Sequence, residues 1–416
     1  MIKRFLLVIA VSLTASMFAQ EGNTSPYSYY GIGLRNFKGT VENQAMGGIS
    51  ILGDSIHLNL INPAAYGALR LTNFSLGGSR RDVSLENNQG TATNTSTTLD
   101  YVALGFPIAA RMGAGFGLMP YTSVDYKISN TQETNHEHFI GRGGLNRAFV
   151  SWGYEIIKGF RLGASAHYNF GNIRREVVQA NSNQQYGVRE INRLDISGIS
   201  YELGAQYEQV LNNDLRLYGS AVYVPESSIG AENNREIASV TVIPSENIVD
   251  FVNQSVEIPT VETDFIMPEQ LTVGLGIGKR SKWFAGAEYT NTKASQFSNP
   301  SINIQDVSYE DDSQFRAGGY FIPRFNSITS YWERVVYRAG FRYQETGLNI
   351  NNIGINEFGI SFGLGLPMGR AISNANLSFE YGQRGTVSEG LIKEDFFKVG
   401  LSLSLNDKWF VPFKFN

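Results

Sequence analysis

The stretch "RLGASAHYN", Arg161–Asn169, sets Leu162, Ala164, Ala166 and Tyr168 against Arg161, Gly163, Ser165, His167 and Asn169. Residues two apart share a face only in an extended strand, so this period predicts a β-strand with one apolar and one polar face. The pattern returns along the chain. Tyr201, Leu203, Ala205 and Tyr207 alternate with Glu202, Gly204, Gln206 and Glu208. Leu377, Phe379 and Tyr381 alternate with Ser378, Glu380 and Gly382. Phe397, Val399, Leu401, Leu403 and Leu405 alternate with Lys398, Gly400, Ser402 and Ser404.

A soluble sandwich and a membrane barrel both show this alternation. The sandwich turns its apolar faces inward and has turns at short spacing. The barrel turns them outward to lipid, with longer strands and aromatic girdles. The segments here are long, and their polar faces are small or charged, as a lumen requires. Trp152, Tyr154, Trp283 and Tyr289 lie near segment ends. The reading is all-β, a 14-stranded antiparallel transmembrane β-barrel. Its strands start near Leu71, Thr97, Gly113, Leu145, Gly159, Ile191, Leu215, Glu269, Trp283, Gln314, Trp332, Asn356, Ala375 and Lys393. Tight connections ("ARMG", "IKG", "LNND", "KRSK") alternate with long ones ("ENNQGTATNTST", "SNTQETNHEHFIGRG" and the stretch from Gly230 to Asp264). Short turns face the periplasm and long loops face outside.

Composition agrees. Glycine makes up 44 of 416 residues, with 26 Phe and 21 Tyr beside it. There is no cysteine, which excludes disulfides, thiolate metal sites and a lipoprotein anchor. Residues 1–19, with Lys3 and Arg4 before an apolar run, read as a secretory signal peptide cleaved after Ala19. Removing those two cations from 34 leaves 32 against 38 acids, a net charge of −6 that gives no nucleic-acid signature. The remaining divisions are an N-terminal segment over 20–70, the barrel over 71–405 and a C-terminal periplasmic tail over 406–416.

The N-terminal segment does not alternate. "YGIGLRNFKGTVENQAMGGISILGDSIHLNLINPAAYG", Tyr30–Gly67, is rich in Gly and carries an Asn-Pro-Ala triplet. Such a segment before a 14-stranded barrel resembles the FadL-type outer-membrane transport family. Further echoes are "MPEQLTVGLGIG" at Met267, "WFAGAEYTNTKASQF" at Trp283 and "YRAGFRY" at Tyr337. The "SPYSYYGIG" lead and the terminal "KWF" are similar to the variant of that family common in Bacteroidota. The resemblance implies a hatch inside the lumen, with Ala45, Met46, Gly47, Gly48, Asn62, Pro63 and Ala64 as its hatch and gating residues. The physics agrees: an open barrel of this size cannot be closed by its own side chains, and non-helical backbone at membrane depth must be buried in protein or line a cavity.

Parity places Glu155, Arg161, His167, Glu202, Glu208, Glu288, Arg338, Arg342, Glu380 and Lys398 in the lumen. They form either a polar conduit that selects a solute or an ion-pair network that fixes hatch to wall. FadL-type proteins carry hydrophobic molecules along a hydrophobic path, whereas these positions are charged and small. Ile248, Val249, Phe251 and Val252 fall at helical spacing behind Ser245, an N-cap, in a loop that would contact ligand or partner. His136 with His138, and Asp311 with Asp312, are short acceptor clusters without a full ligand set, so no metal site is expected. No catalytic arrangement or cofactor site is readable, and an enzyme is not expected. Two functions fit a Gram-negative outer-membrane location in contact with lipopolysaccharide and phospholipid. One is hatch-gated uptake of a small solute, a hydrophobic one included. The other is a plugged barrel serving, with other outer-membrane proteins, as a non-transporting subunit of an assembly or secretion complex. The ligand is not legible.

Overall fold

The computed structural model describes residues 25–132, 134–211, 214–243, 248–296, 307–368 and 373–408. Fourteen strands wind in chain order, each antiparallel to its neighbours. They are β1 (Thr72–Asn87), β2 (Gly90–Ala109), β3 (Met112–Gln132), β4 (Asn135–Ile157), β5 (Phe160–Asn181) and β6 (Gly187–Val210). Then come β7 (Leu215–Val224, continued as Ser227–Ile243), β8 (Ile248–Met267, continued as Gln270–Lys279) and β9 (Trp283–Thr292). Last are β10 (Val307–Tyr309, continued as Asp312–Phe321), β11 (Val336–Ile350), β12 (Ile353–Met368), β13 (Ser373–Arg384) and β14 (Lys393–Asp407). β14 pairs with β1 from Lys393–Glu86 to Asp407–Thr72, which closes the barrel.

The alternation sorts the side chains as the sequence requires. Leu162, Tyr168, Tyr201, Leu203 and Leu401 are exposed to the lipid side. Arg161, Ser165, His167 and Asn169 are buried. The wall therefore has an apolar outside and a polar inside, the inverse of a soluble core.

Three departures from the sequence reading have physical causes. First, most of the long connections are ladders. Asn87 pairs with Gly90, and Thr131 with His136, so β1–β2 and β3–β4 run almost to their tips as hairpins. Second, Gly230–Asp264 is not a loop: Ser227–Ile243 pairs with Ile248–Met267. Third, Ile248, Val249, Phe251 and Val252 lie in that strand and not in a helix; their side chains and Ser245 lie outside the described residues. In water both faces of a strand can be polar, so period two fades and a few apolar residues mimic a helical face. The tail beyond Lys408 and the signal segment also lie outside the described residues.

β7 and β8 break opposite one another, at Pro225-Glu226 and Pro268-Glu269. Each proline removes a ladder donor, so the upper hairpin separates from the lower barrel there. A second irregularity lies between β2 and β3. Their ladder runs only from Val102–Leu118 to Ala109–Met112. Above it, Gly90–Tyr101 pairs with β1, and Thr122–Gln132 pairs with β4. The register shift at Pro120/Thr122 begins this parting. Leu34–Arg35 of the N-terminal segment pairs with the freed edge at Ser123 and Thr122, and the amides of Ser25 and Asn36 donate to the Asp125 and Tyr121 carbonyls of the same strand.

Turns at 110–111, 158–159 and 280–282 mark one end of the barrel, and the tall hairpins mark the other. The first end is the periplasmic one by the rule for barrels of this kind. An epitope inserted at Gln89 is expected to be reachable on intact cells, and one at Lys158 only after the outer membrane is opened. The reverse labelling would invert the topology.

The plugged lumen as candidate functional site

Residues 25–70 are built from short capped pieces. Ser25 caps a 3-10 turn over Pro26–Tyr29, its side chain accepting from the Tyr27 amide. Thr40 caps the helix α1 (Val41–Gln44) in a capping box: its Oγ1 accepts from the Asn43 amide at 3.3 Å, and the Thr40 amide donates to Asn43 Oδ1 at 3.2 Å. The Asn-Pro-Ala triplet starts a third turn, Pro63–Ala68. Asn62 Oδ1 accepts from the Ala64 amide at 3.0 Å, and Pro63 takes the first position, where no donor is needed.

This segment touches strands right around the closed barrel, so it lies within the lumen. Ser25 donates to Glu394 on β14, and its amide donates to the Asp125 carbonyl on β3 at 3.1 Å. Lys38 pairs with Glu202 on β6. Glu42 accepts from Asn376 on β13 at 2.6 Å and from Ser404 on β14 at 3.2 Å. Gln44 donates to Glu380 on β13 at 2.8 Å. The amide and hydroxyl of Ser50 each donate to Glu288 on β9 at 2.9 Å. Asn62 donates to the Ala205 carbonyl at 3.2 Å.

Wall glycines make room for it. A Cβ on Gly163 would stand 2.3 Å from the Pro63 carbonyl carbon, and one on Gly340 would stand 2.1 Å from the Gly47 amide. Gly47 and Gly48, at φ +70° and +90°, hold the left-handed turn that ends α1. There the Gly47 amide donates to Ser361 Oγ at 2.9 Å. Gly163→Leu should overpack this contact and cost about 1–3 kcal/mol. The expected readout is faster proteolysis of residues 25–70 within a barrel that still resists heat; unchanged proteolysis would count against the contact.

Ala45, Met46, Gly47, Gly48, Asn62, Pro63 and Ala64 are all buried in the plug. The ten lumen charges fall into two groups. Toward the tight turns, Arg161 pairs with Glu208 at 2.8 Å and with Glu155 at 4.0 Å, and Glu155 reaches Arg70 at 3.7 Å. Higher up, Arg342 bridges Glu357 at 2.5 Å and Glu380 at 2.7 Å. Lys398 reaches Asp100 at 3.8 Å, and Glu202 binds Lys38. Glu288 lies 3.5 Å from Arg316. Arg338 donates to Asn376 at 3.1 Å, which in turn donates to Glu42 of the plug. His167 is 2% exposed.

Sequence reasoning missed half of these networks. Arg384 pairs with Glu357 and with Glu394, the latter at 3.4 Å, and the three lie in cross-strand register on β12, β13 and β14. Arg316 sits directly opposite Glu288 on β10 and donates to the Gly48 carbonyl at 2.8 Å. The parity that singled out Glu288 also points at Arg316 and Glu357; what the sequence hides is which strands' charges meet. His136 and His138 lie on β4 and contact Ser182 and Ser129, each at 2.9 Å. Asp311 accepts from Ser295 at 2.5 Å, and Asp312 accepts from Gln344 at 2.9 Å.

Between the plug and the tall hairpins is a cavity of about 260 Å³. Arg35, Lys38 and Gln44 of the plug and Arg316, Arg342 and Glu380 of the wall line it. Thr98 and Tyr121, on the two sides of the β2–β3 parting, line it too. The chamber mixes polar and apolar lining; Lys38, Arg316 and Arg342 there are paired with acids, and Arg147 lies over the Tyr121 ring and donates to Asn169.

A 14-stranded antiparallel barrel, apolar outside and filled by its own N-terminal segment, defines a FadL-like outer-membrane barrel protein. Solved structures share the fold. The P. putida toluene transporter TodX superposes with a TM-score of 0.60 at 16% identity, covering 90% of this chain and 100% of that one. The Ralstonia pickettii toluene transporter TbuX gives 0.56 at 16% identity, over 89% and 99%. A Pseudomonas aeruginosa FadL homologue gives 0.57 at 13% identity, over 89% and 98%. No curated protein matches the sequence. The family model for BamG matches residues 1–416, and the chain belongs to that family.

Proposed function

We propose that this protein is a plugged barrel, a non-transporting subunit of an outer-membrane assembly complex. The observation that carries the reading is the fastening of the plug by buried wall carboxylates, Glu202, Glu288, Glu380 and Glu394. A gate must let go at small cost. Here Glu202 pairs with Lys38 of the plug itself, Glu288, Glu380 and Glu394 also pair with wall arginines, and removing one partner of such a pair typically costs about 3–5 kcal/mol. The family name BamG points the same way, to association with an assembly complex. On this reading residues 1–19 direct export, residues 20–70 form the plug, and the outer wall contacts lipopolysaccharide and phospholipid. The test is a gentle-detergent pull-down of the intact protein. Recovery with other outer-membrane proteins in fixed proportion is expected, and recovery of the barrel alone would count against the reading.

A second reading, hatch-gated uptake of a small solute, is favoured by the β2–β3 parting, with the cavity directly behind it. Two of the proteins that share the fold, TodX and TbuX, are toluene transporters. If solute passes through this parting, a cysteine bridge between Thr98→Cys and Tyr121→Cys should abolish uptake and dithiothreitol should restore it. Cell growth and partner recovery that ignore the bridge would leave only the plugged-subunit reading.

A further inference from the structure

At the tight-turn end, one connection stands apart. Residues 322–335 join β10 to β11 where the other described connections at that end are brief turns. Its base is closed by buried Ile322 and Val335. The Ile322 amide donates to the Lys282 carbonyl at 2.7 Å, Arg324 to Glu333 at 2.8 Å, and Arg334 to Tyr331 at 3.0 Å, all along the backbone. Ser327 Oγ accepts from the Ser330 amide at 3.2 Å. The Tyr331 hydroxyl donates to the Pro367 carbonyl at 3.2 Å, and the Tyr337 hydroxyl donates to the Trp332 carbonyl at 3.2 Å. The backbone of this loop is thus fixed by its own bonds.

From that frame Phe325 is 53% exposed, Trp332 63% and Ile328 100%. These side chains lie beyond the lipid band. Phe321 and Tyr337, exposed aromatics that pair in register, mark the end of that band, and Tyr337 faces Leu364 on β12. Tyr331 instead bonds Pro367, farther along β12 toward the tight-turn end. The loop tip is therefore in water, where an apolar residue contributes nothing to the fold and a cluster of them marks a binding surface. Rigid aromatic anchors in a fixed loop have little ordering entropy to lose on binding. The charges around the loop are mainly positive: Lys279, Arg280, Lys282, Arg324 and Arg334 against Glu333.

We propose that this loop is a docking surface for a periplasmic protein domain that presents an apolar groove with an acidic rim, an inference that rests on the assembly-subunit reading. Phe325, Ile328 and Trp332 fill the groove, and Lys282 with Arg280 face the rim.

The test uses the full-length protein in cells. Ile328→Asp and Trp332→Ser should each lower recovery of a stoichiometric partner in the gentle pull-down by roughly tenfold or more, as for central anchor residues. The heat resistance of the barrel should not change. Arg280→Glu with Lys282→Glu should weaken recovery, and raising the salt should weaken the wild-type complex in the same way. A photo-crosslinking residue at position 328 should give one discrete protein adduct that these charge reversals diminish. Crosslinking to lipid alone would overturn the inference in favour of membrane contact. Partner recovery untouched by Ile328→Asp and Trp332→Ser would overturn it while leaving the assembly reading standing. Wild-type recovery without any partner would overturn both.

Discussion

Arg342→Ala is expected to destabilise the barrel by about 3–5 kcal/mol, the typical cost of breaking a buried ion pair from one side. Arg342 holds Glu357 at 2.5 Å and Glu380 at 2.7 Å, and both carboxylates are buried. Glu357 keeps Arg384 as a second partner, whereas Glu380 keeps the neutral amide of Gln44 and, without an ion pair, Lys398 in register on β14. Removal thus leaves a charge facing the plug without its closest cation. The measurement is the temperature at which the folded barrel loses its altered mobility on a denaturing gel, backed by a guanidinium titration. Arg342→Lys should recover only part of the loss, since a single ammonium replaces the planar fork that spans two carboxylates. Arg80→Ala is the control: its partner Asp82 and its own side chain are both well exposed, at 48% and 62%. A pair of that kind contributes about 0–1 kcal/mol. If both substitutions leave stability equally unchanged, the inner network does not hold the structure together.

How much of this could be read beforehand depends on which solvent each residue meets. Where a strand faces lipid on one side, its outer residues must be apolar, and the alternation in Arg161–Asn169 or Phe397–Asp407 yields strand, face and count together. Above the membrane that constraint is gone. In Ser227–Ile243 and Ile248–Met267 only a few residues, among them Ile229, Ala231, Val240 and Phe265, are buried, and no apolar lipid face alternates with them, so a ladder there reads as loop, and Ile248 to Val252 reads as helix. Inside the lumen the parity of each charge is legible, but its partner is not. Register alone sets Glu288 opposite Arg316 and Glu357 opposite Arg384, and register depends on turns and bulges that single segments do not reveal. The β2–β3 parting is hidden for the same reason. Pro120 is visible, yet which neighbour its strand leaves is a property of the closed sheet.

Deleting residues 26–68 should turn a silent barrel into a conducting one. In the intact chain the plug meets β3, β6, β9, β12, β13 and β14, and its helix and turns lie inside the lumen, bonded to the wall on several sides. Nothing in the wall replaces it: the inward positions nearest the plug are glycines such as Gly163, Gly204 and Gly340, which leave space when the plug is gone. A 14-stranded barrel so emptied is too wide for its own side chains to close. Single channels in a planar bilayer should therefore show large, steady steps for the deletion and almost none for the wild type. The deleted barrel should also favour neither ion sign strongly, because Arg342, Arg384 and Arg316 remain paired with Glu357, Glu380, Glu394 and Glu288 on the wall itself. A wild-type barrel that already conducts as well as the deletion would show that the plug leaves an open path, and the uptake reading would then replace the plugged subunit.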